Sequence, residues 1–374
     1  MILLGITAAF IGLAVISPKS KSIFKIILVL MWIIYGLNTY SGDYVAYESV
    51  YRNISYYGLT HYEILFSALM FLFSKAGIPF ICFRMFLATI YVILLDKIIL
   101  RYSDYPALAC ALGLVFPFTY YVSVVRAGIA AMIMLYAVHW LYGNTRKNNV
   151  RFIIAIVIAT LFHYSSIVFL VFWFVRNGIN YKKFLYVILG TCVIAYAYSH
   201  LDIMTSLISH FSVRAKTLQW FSASSNLALN WKGIGMQLLI VIGNIAINLI
   251  SKRIMERTII CADDKSELLE FRVWLSNISY YASVTIIMFV PFMFVNDVAM
   301  RFEWAVLILT ICSCLNSSYA VKMYSSTDLR RSLVPTIELL LVAFIIIIVV
   351  YANLPYIGTE NSAVRIFFNN LISF

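Results

Sequence analysis

The chain has 374 residues, 63% of them hydrophobic and 12% charged, and its mean hydropathy is +0.91. Soluble domains are roughly 45–50% apolar and about 25% charged, so a water-soluble globular protein is excluded. The formal charge of +12, in so apolar a chain, reads first as membrane topology rather than as nucleic-acid binding.

Apolar runs of about 17–25 residues match the thickness of a bilayer, and shorter or broken ones occur inside bundles. Taken in chain order, the runs predict spans at 2–16, 24–38, 80–100, 106–121, 126–143, 151–163, 165–177, 184–200, 234–250, 273–293, 302–321 and 333–352. The short apolar segment 62–74 reads as re-entrant or interfacial. The expected fold is therefore all-α: a polytopic helical bundle of about 12 spans, roughly 10–13, forming a single transmembrane domain over 1–374. Its outer loops fall near 39–61, 201–233 and 294–302. The first run lacks the basic flank and small-residue cleavage site of a secretory signal, so it reads as a retained span.

Basic residues test this assignment, because they concentrate on the cytoplasmic side of membrane proteins. One side receives nineteen of the 28 Lys and Arg residues, from Lys19, Lys21 and Lys25 to Arg330 and Arg331. Nine fall on the other side, among them Arg84, Arg126, Arg214 and Arg301. Fusing 151–177 into one helix would move a basic cluster outside, so the charge pattern itself asks for a break at His163.

On the outer side, Tyr44, Tyr47 and Tyr51 are spaced to share one face of a helix. Such rings can stack on sugars, although tyrosines at this depth also form the ordinary aromatic belt. Asp43 and Glu63 flank this segment, and either carboxylate can take a proton from a hydroxyl; the competing reading is a solvated loop charge. Arg126 opens its span, where unpaired backbone N–H groups already favour anions, and arginine grips phosphate oxygens in bidentate fashion. Arg301 opens a later span in the same way. Snorkelling to lipid headgroups is the competing reading for both. An unperturbed imidazole exchanges protons near working pH, which makes His163 a candidate proton acceptor, against the reading of a buried packing histidine. Arg84 and Arg214 are further cations able to offset phosphate charge. The six cysteines lie mostly in apolar runs without metal-site spacing, and neither metal nor cofactor is expected.

Three short motifs stand together: Arg126-Ala-Gly-Ile-Ala130, Phe162-His163-Tyr164-Ser165, and Gly42-Asp43-Tyr44 with Tyr47. With them the stretch from 36 to 180 resembles the EpsG and Wzy-type polysaccharide polymerases. Ala127 stands where members of that family often have glutamine. The resemblance implies a bacterial inner-membrane glycosyltransferase that joins oligosaccharide repeat units carried on polyprenyl pyrophosphate, at the periplasmic face and without a metal. In that reading Arg126 and Arg301 stabilise the departing pyrophosphate, and Asp43 or His163 takes the acceptor proton. Tyr44, Tyr47, Tyr51, Glu63, Arg84 and Arg214 bind substrate. Partners are the lipid-linked donor and acceptor, membrane lipids and, as one further partner it allows, a chain-length regulator protein; nucleic acid is not among them. Two other readings stay open, a flippase for lipid-linked sugars and an O-antigen ligase. A flippase is expected to show pseudo-symmetric halves with ionisable residues at mid-membrane.

Overall fold

A computed structural model describes residues 2–39, 43–200, 231–261, 266–290, 298–324 and 328–353 of the chain. All regular structure among them is helical. The helices are α1 (Ile2–Ile16), α2 (Lys21–Leu37), α3 (Tyr44–Arg52), α4 (Ile54–Tyr57), α5 (Ile64–Lys75), α6 (Phe80–Tyr102), α7 (Pro106–Gly113) and α8 (Thr119–Ser123). They continue with α9 (Val125–Val138), α10 (Arg146–Phe162), α11 (Val171–Val175), α12 (Tyr181–His200), α13 (Trp231–Cys261), α14 (Glu267–Thr285), α15 (Val298–Tyr324) and α16 (Asp328–Asn353). A π turn, Leu114–Phe118, joins α7 to α8, and a 3₁₀ helix, Tyr164–Leu170, leads into α11.

Local chemistry sets several of these limits. Ser20, Thr145 and Ser266 cap α2, α10 and α14, each hydroxyl accepting at 3.3 Å from the backbone N–H three residues on. Glu267 and Glu270 add negative charge to the first turn of α14, where the helix dipole favours it. Pro106 starts α7, at the position where its missing N–H costs nothing. The tight turn into α10 needs positive φ at two successive residues, Gly143 (79°) and Asn144 (48°), and these residue types tolerate it best.

Among the described residues, three stretches are long and apolar enough to cross a membrane: Pro106–Ser123, Leu238–Ile260 and Phe302–Tyr324. Shorter apolar helices surround them. Helix α15 is almost wholly buried from Phe302 onward and packs on α13, α14 and α16 as well as on α6, α7 and α9. The opposite case is α10, whose Ile153, Ile154, Val157, Ile158 and Leu161 are exposed. A row of branched aliphatics turned outward is what a lipid-facing helix presents.

Several polar ties cross the bundle, among them two built on buried asparagines. At the junction of α6 and α7, Asn316 donates to the Tyr102 carbonyl (2.7 Å) and accepts from the Asp104 N–H (2.9 Å), while Arg272 pairs with Asp104 at 3.0 Å. Deeper, Asn248 donates to Thr310 (2.8 Å) and to Asn244 Oδ1 (3.0 Å), Thr310 donates to Asn244 Oδ1 (2.6 Å), and Ser279 donates to Asn248 Oδ1 (2.6 Å). This second network holds α13, α14 and α15 together without a charge, as amides and hydroxyls commonly do between membrane helices.

Several limits differ from those the apolar runs predict. Helix α13 continues to Cys261, so Lys252, Arg253 and Arg257 lie within a helix rather than in a connection. Helix α10 begins at Arg146, which gives it 17 residues and makes it the longer half of the broken pair. A run of apolar letters stops at the first charge, whereas backbone hydrogen bonding does not.

Candidate functional site

The break at His163 is a backbone fact. Helix α10 ends at Phe162, His163 is extended (φ −157°, ψ 116°), and the 3₁₀ helix starts at Tyr164. Opposite it, Glu63 is also extended, one residue ahead of α5 (φ −61°, ψ 148°). Arg126 occupies the first turn of α9. It sits two residues before Gly128, where a Cβ atom would come within 2.9 Å of the Tyr121 Cβ, so glycine is needed for α8 to fold back against α9.

These three positions meet. One Arg126 guanidinium nitrogen, Nη1, pairs with Glu63 Oε2, and Nε donates to the Tyr47 hydroxyl at 3.2 Å. His163 Nδ1 lies 3.1 Å from Glu63 Oε1, and the Tyr164 N–H donates to the same oxygen at 3.4 Å. Facing an ionised carboxylate, Nδ1 must carry the proton, so in the neutral ring Nε2 holds the lone pair. The guanidinium lies over the Tyr62 ring (4.4 Å to its centre) and beside Tyr47 (5.7 Å). The Glu63 side chain is only 4% exposed and that of Arg126 is 20% exposed, so the group is sheltered but not sealed.

Burial alone would raise the Glu63 carboxyl, which stands in the non-helical connection before α5. The His163 hydrogen bond and the Arg126 and His163 charges outweigh burial and hold it down at about 2. Glu63 is thus a fixed anion. It orients the imidazole and answers the arginine, and it is a poor proton acceptor in its own right.

The remaining sequence candidates are placed as follows. Tyr47 and Tyr51 share the buried face of α3, and Tyr44 is half-buried beside them. The Tyr51 ring stacks on Phe83 and its hydroxyl donates to the Ile78 carbonyl at 2.7 Å, so it is committed to packing. Asp43 is exposed at the start of α3, with its charge within reach of Tyr62. Arg84, on α6, is 1% exposed and lies under the Tyr44 ring. Arg301 falls in the first turn of α15, with its side chain outside the described residues. Arg214 lies outside them altogether. Among the described residues no group of three or more His, Cys, Asp or Glu side chains is placed to hold a metal.

One group escaped the sequence reading. Glu303, on α15, is 1% exposed and neither of its carboxylate oxygens has a hydrogen-bond partner. Its neighbours Phe302 and Trp304 pack on Phe169 and on Phe116 and Tyr120, within the elements that follow His163 and precede Arg126. Its signal in the sequence was a carboxylate inside an apolar run, at a place that reads as the end of a loop.

No curated protein and no solved structure matches the chain. The family model described as EpsG family matches residues 21–361, and the chain therefore belongs to the EpsG family.

Proposed function

We propose that this protein, a membrane protein of the polysaccharide-polymerase type by its family, is a glycosyltransferase. It joins repeat units carried on polyprenyl pyrophosphate, moving the growing chain en bloc onto the hydroxyl of a new lipid-linked unit. In this reading the chain crosses the bacterial inner membrane about twelve times, with the site toward the periplasm, and membrane lipids and a chain-length regulator are its other partners.

The observation that carries the reading is the convergence of Arg126, Glu63 and His163 at a break between helices. A histidine whose Nδ1 is held by a carboxylate presents Nε2 as a proton acceptor and stabilises the imidazolium that forms. His163 then removes the acceptor hydroxyl's proton as that oxygen bonds to the anomeric carbon. The bond from that carbon to the pyrophosphate oxygen breaks, and the anion leaves toward Arg126 and Arg301. Asp43 is the weaker candidate base, because it is exposed at the start of α3 whereas His163 is buried against Glu63. Tyr44 is the tyrosine of α3 best placed to meet a sugar ring, being only half-buried.

The test is Arg126→Ala in cells. Single repeat units should accumulate on their carrier at the outer leaflet while the protein remains in the membrane. Polymer of normal length would remove Arg126 from the mechanism. Accumulation at the inner leaflet would favour a flippase, and long chains retained on the carrier would favour a ligase.

A further inference from the structure

We propose that Arg84 adds to this site a positive charge that, unlike that of Arg126, no carboxylate among the described residues answers, and that it binds the diphosphate group of a lipid-linked substrate. The inference rests on the polymerase reading above and adds to it where the diphosphate is held.

The two arginines differ in what answers them. Arg126 is paired with the Glu63 carboxylate and also donates to Tyr47. Arg84 makes one hydrogen bond, from Nη2 to the Tyr35 carbonyl (2.9 Å) in the last turn of α2, and its Nε and Nη1 have no acceptor. No carboxylate among the described residues pairs with it. An unpaired guanidinium that is 1% exposed is costly to hold, and headgroup snorkelling does not explain a side chain turned into the bundle.

Arg84 also belongs to the same cluster. The Tyr35 hydroxyl donates to the carbonyl of Val125, the residue before Arg126, at 3.3 Å. Tyr47 lies within electrostatic reach of Arg84 and in hydrogen-bond contact with Arg126. The cover over Arg84 is the half-buried Tyr44 ring, 5.2 Å from the guanidinium, at the start of the short helix α3. When that ring turns aside, the unpartnered Nε and Nη1 are each free to donate to an anion's oxygen. A doubly charged anion arriving there supplies the missing partner.

The experiment uses the full-length protein in phosphatidylcholine nanodiscs, titrated with farnesyl pyrophosphate and, separately, with inorganic pyrophosphate. Wild type should bind farnesyl pyrophosphate, and Arg84→Gln should bind it at least about tenfold more weakly, as expected for loss of a charge-assisted hydrogen bond. The glutamine keeps a donor for the Tyr35 carbonyl; should it misfold, Arg84→Met takes its place. Arg84→Lys, which keeps the charge, should recover part of the affinity, a recovery that a purely structural cap on α2 would not produce. A folded Arg84→Gln or Arg84→Met protein that binds within twofold of wild type overturns the assignment to Arg84. A wild type that binds neither compound instead overturns the diphosphate reading of the substrate. Equal affinity for both compounds identifies free pyrophosphate as sufficient for the site, and a strong preference for the farnesyl compound identifies the lipid-linked form.

Discussion

The Arg126–Glu63–His163 cluster and the Asn244–Asn248–Thr310–Ser279 network are both buried among apolar helices, but only the first carries charge. The first is built where helices begin and end: ahead of α5, in the first turn of α9, and after α10. The second lies inside three continuous helices, and of its four residues' side-chain polar atoms only Asn244 Nδ2 lacks a partner. Uncharged groups that satisfy one another between helices act as glue. Charges gathered at helix breaks are expensive to bury and contribute little to packing that apolar side chains would not contribute better, so their presence is better explained by chemistry.

The largest expected effect breaks the charged cluster from one side. Glu63→Ala leaves Arg126 without its carboxylate and should cost about 3–5 kcal/mol of stability, together with polymer formation. Replacing both, Arg126→Met with Glu63→Met, should recover most of the stability and none of the activity. Unfolding in detergent and polymer length read the two properties separately. A double variant as unstable as the single one would mean that the pair is structural, like the amide network.

Acid tests the same carboxylate without mutation. Its value is depressed in the folded protein, from an ordinary 4.5 to about 2. The stability it contributes is therefore complete above about pH 4.5 and is lost as pH falls toward 2, a change on the order of 3 kcal/mol. Glu63→Gln should lack this dependence, so the difference between the two unfolding curves should close in that window. Curves that stay parallel would show that Glu63 is not held as an anion. No comparable dependence is expected from the uncharged network.

Glu303 sharpens the contrast from the other side. It lies seven residues before Thr310 on α15, and so on the same helix face as the amide network, yet its oxygens are unpartnered. Glu303→Met should stabilise the protein by about 1–3 kcal/mol, because an unsatisfied buried polar group is exchanged for an apolar one of similar volume. Destabilisation by that substitution would show that Glu303 has a partner that completes the network.

What the sequence made legible divides along the same line. The break at His163 could be read because motif and basic-residue parity agreed on it. The shared face of Tyr44, Tyr47 and Tyr51 could be read because helical periodicity is local. The role of Glu63 as the anion between Arg126 and His163 could not, since its partners lie 63 and 100 residues away and no spacing rule spans such distances. Equally hidden was the difference between Arg84 and Arg126, two cations near the ends of apolar runs, because whether a carboxylate answers each depends on how α5, α6 and α9 pack. Asn244 and Asn248 passed unremarked as single polar letters in an apolar run. Their meaning appears only when Thr310 and Ser279 are brought against them.

The smallest effect comes from a matched pair of hydroxyl deletions. Ser279→Ala removes the one donor to Asn248 Oδ1. Hydrogen bonds between membrane helices average about 0.6 kcal/mol, because the separated helices find other partners, so a loss of that size is expected with no change in polymer length. Tyr47→Phe likewise removes one hydroxyl, but from the acceptor of a charged Arg126 Nε. Bonds to charged groups are worth about 1.5–3 kcal/mol, and freeing Nε also leaves the guanidinium less firmly held beside Glu63. Tyr47→Phe should therefore cost roughly 1 kcal/mol more than Ser279→Ala and shorten the polymer as well. The two are to be compared by unfolding and product length in the same preparation. Equal costs with unchanged product in both would erase the distinction between a working cluster and a packing one.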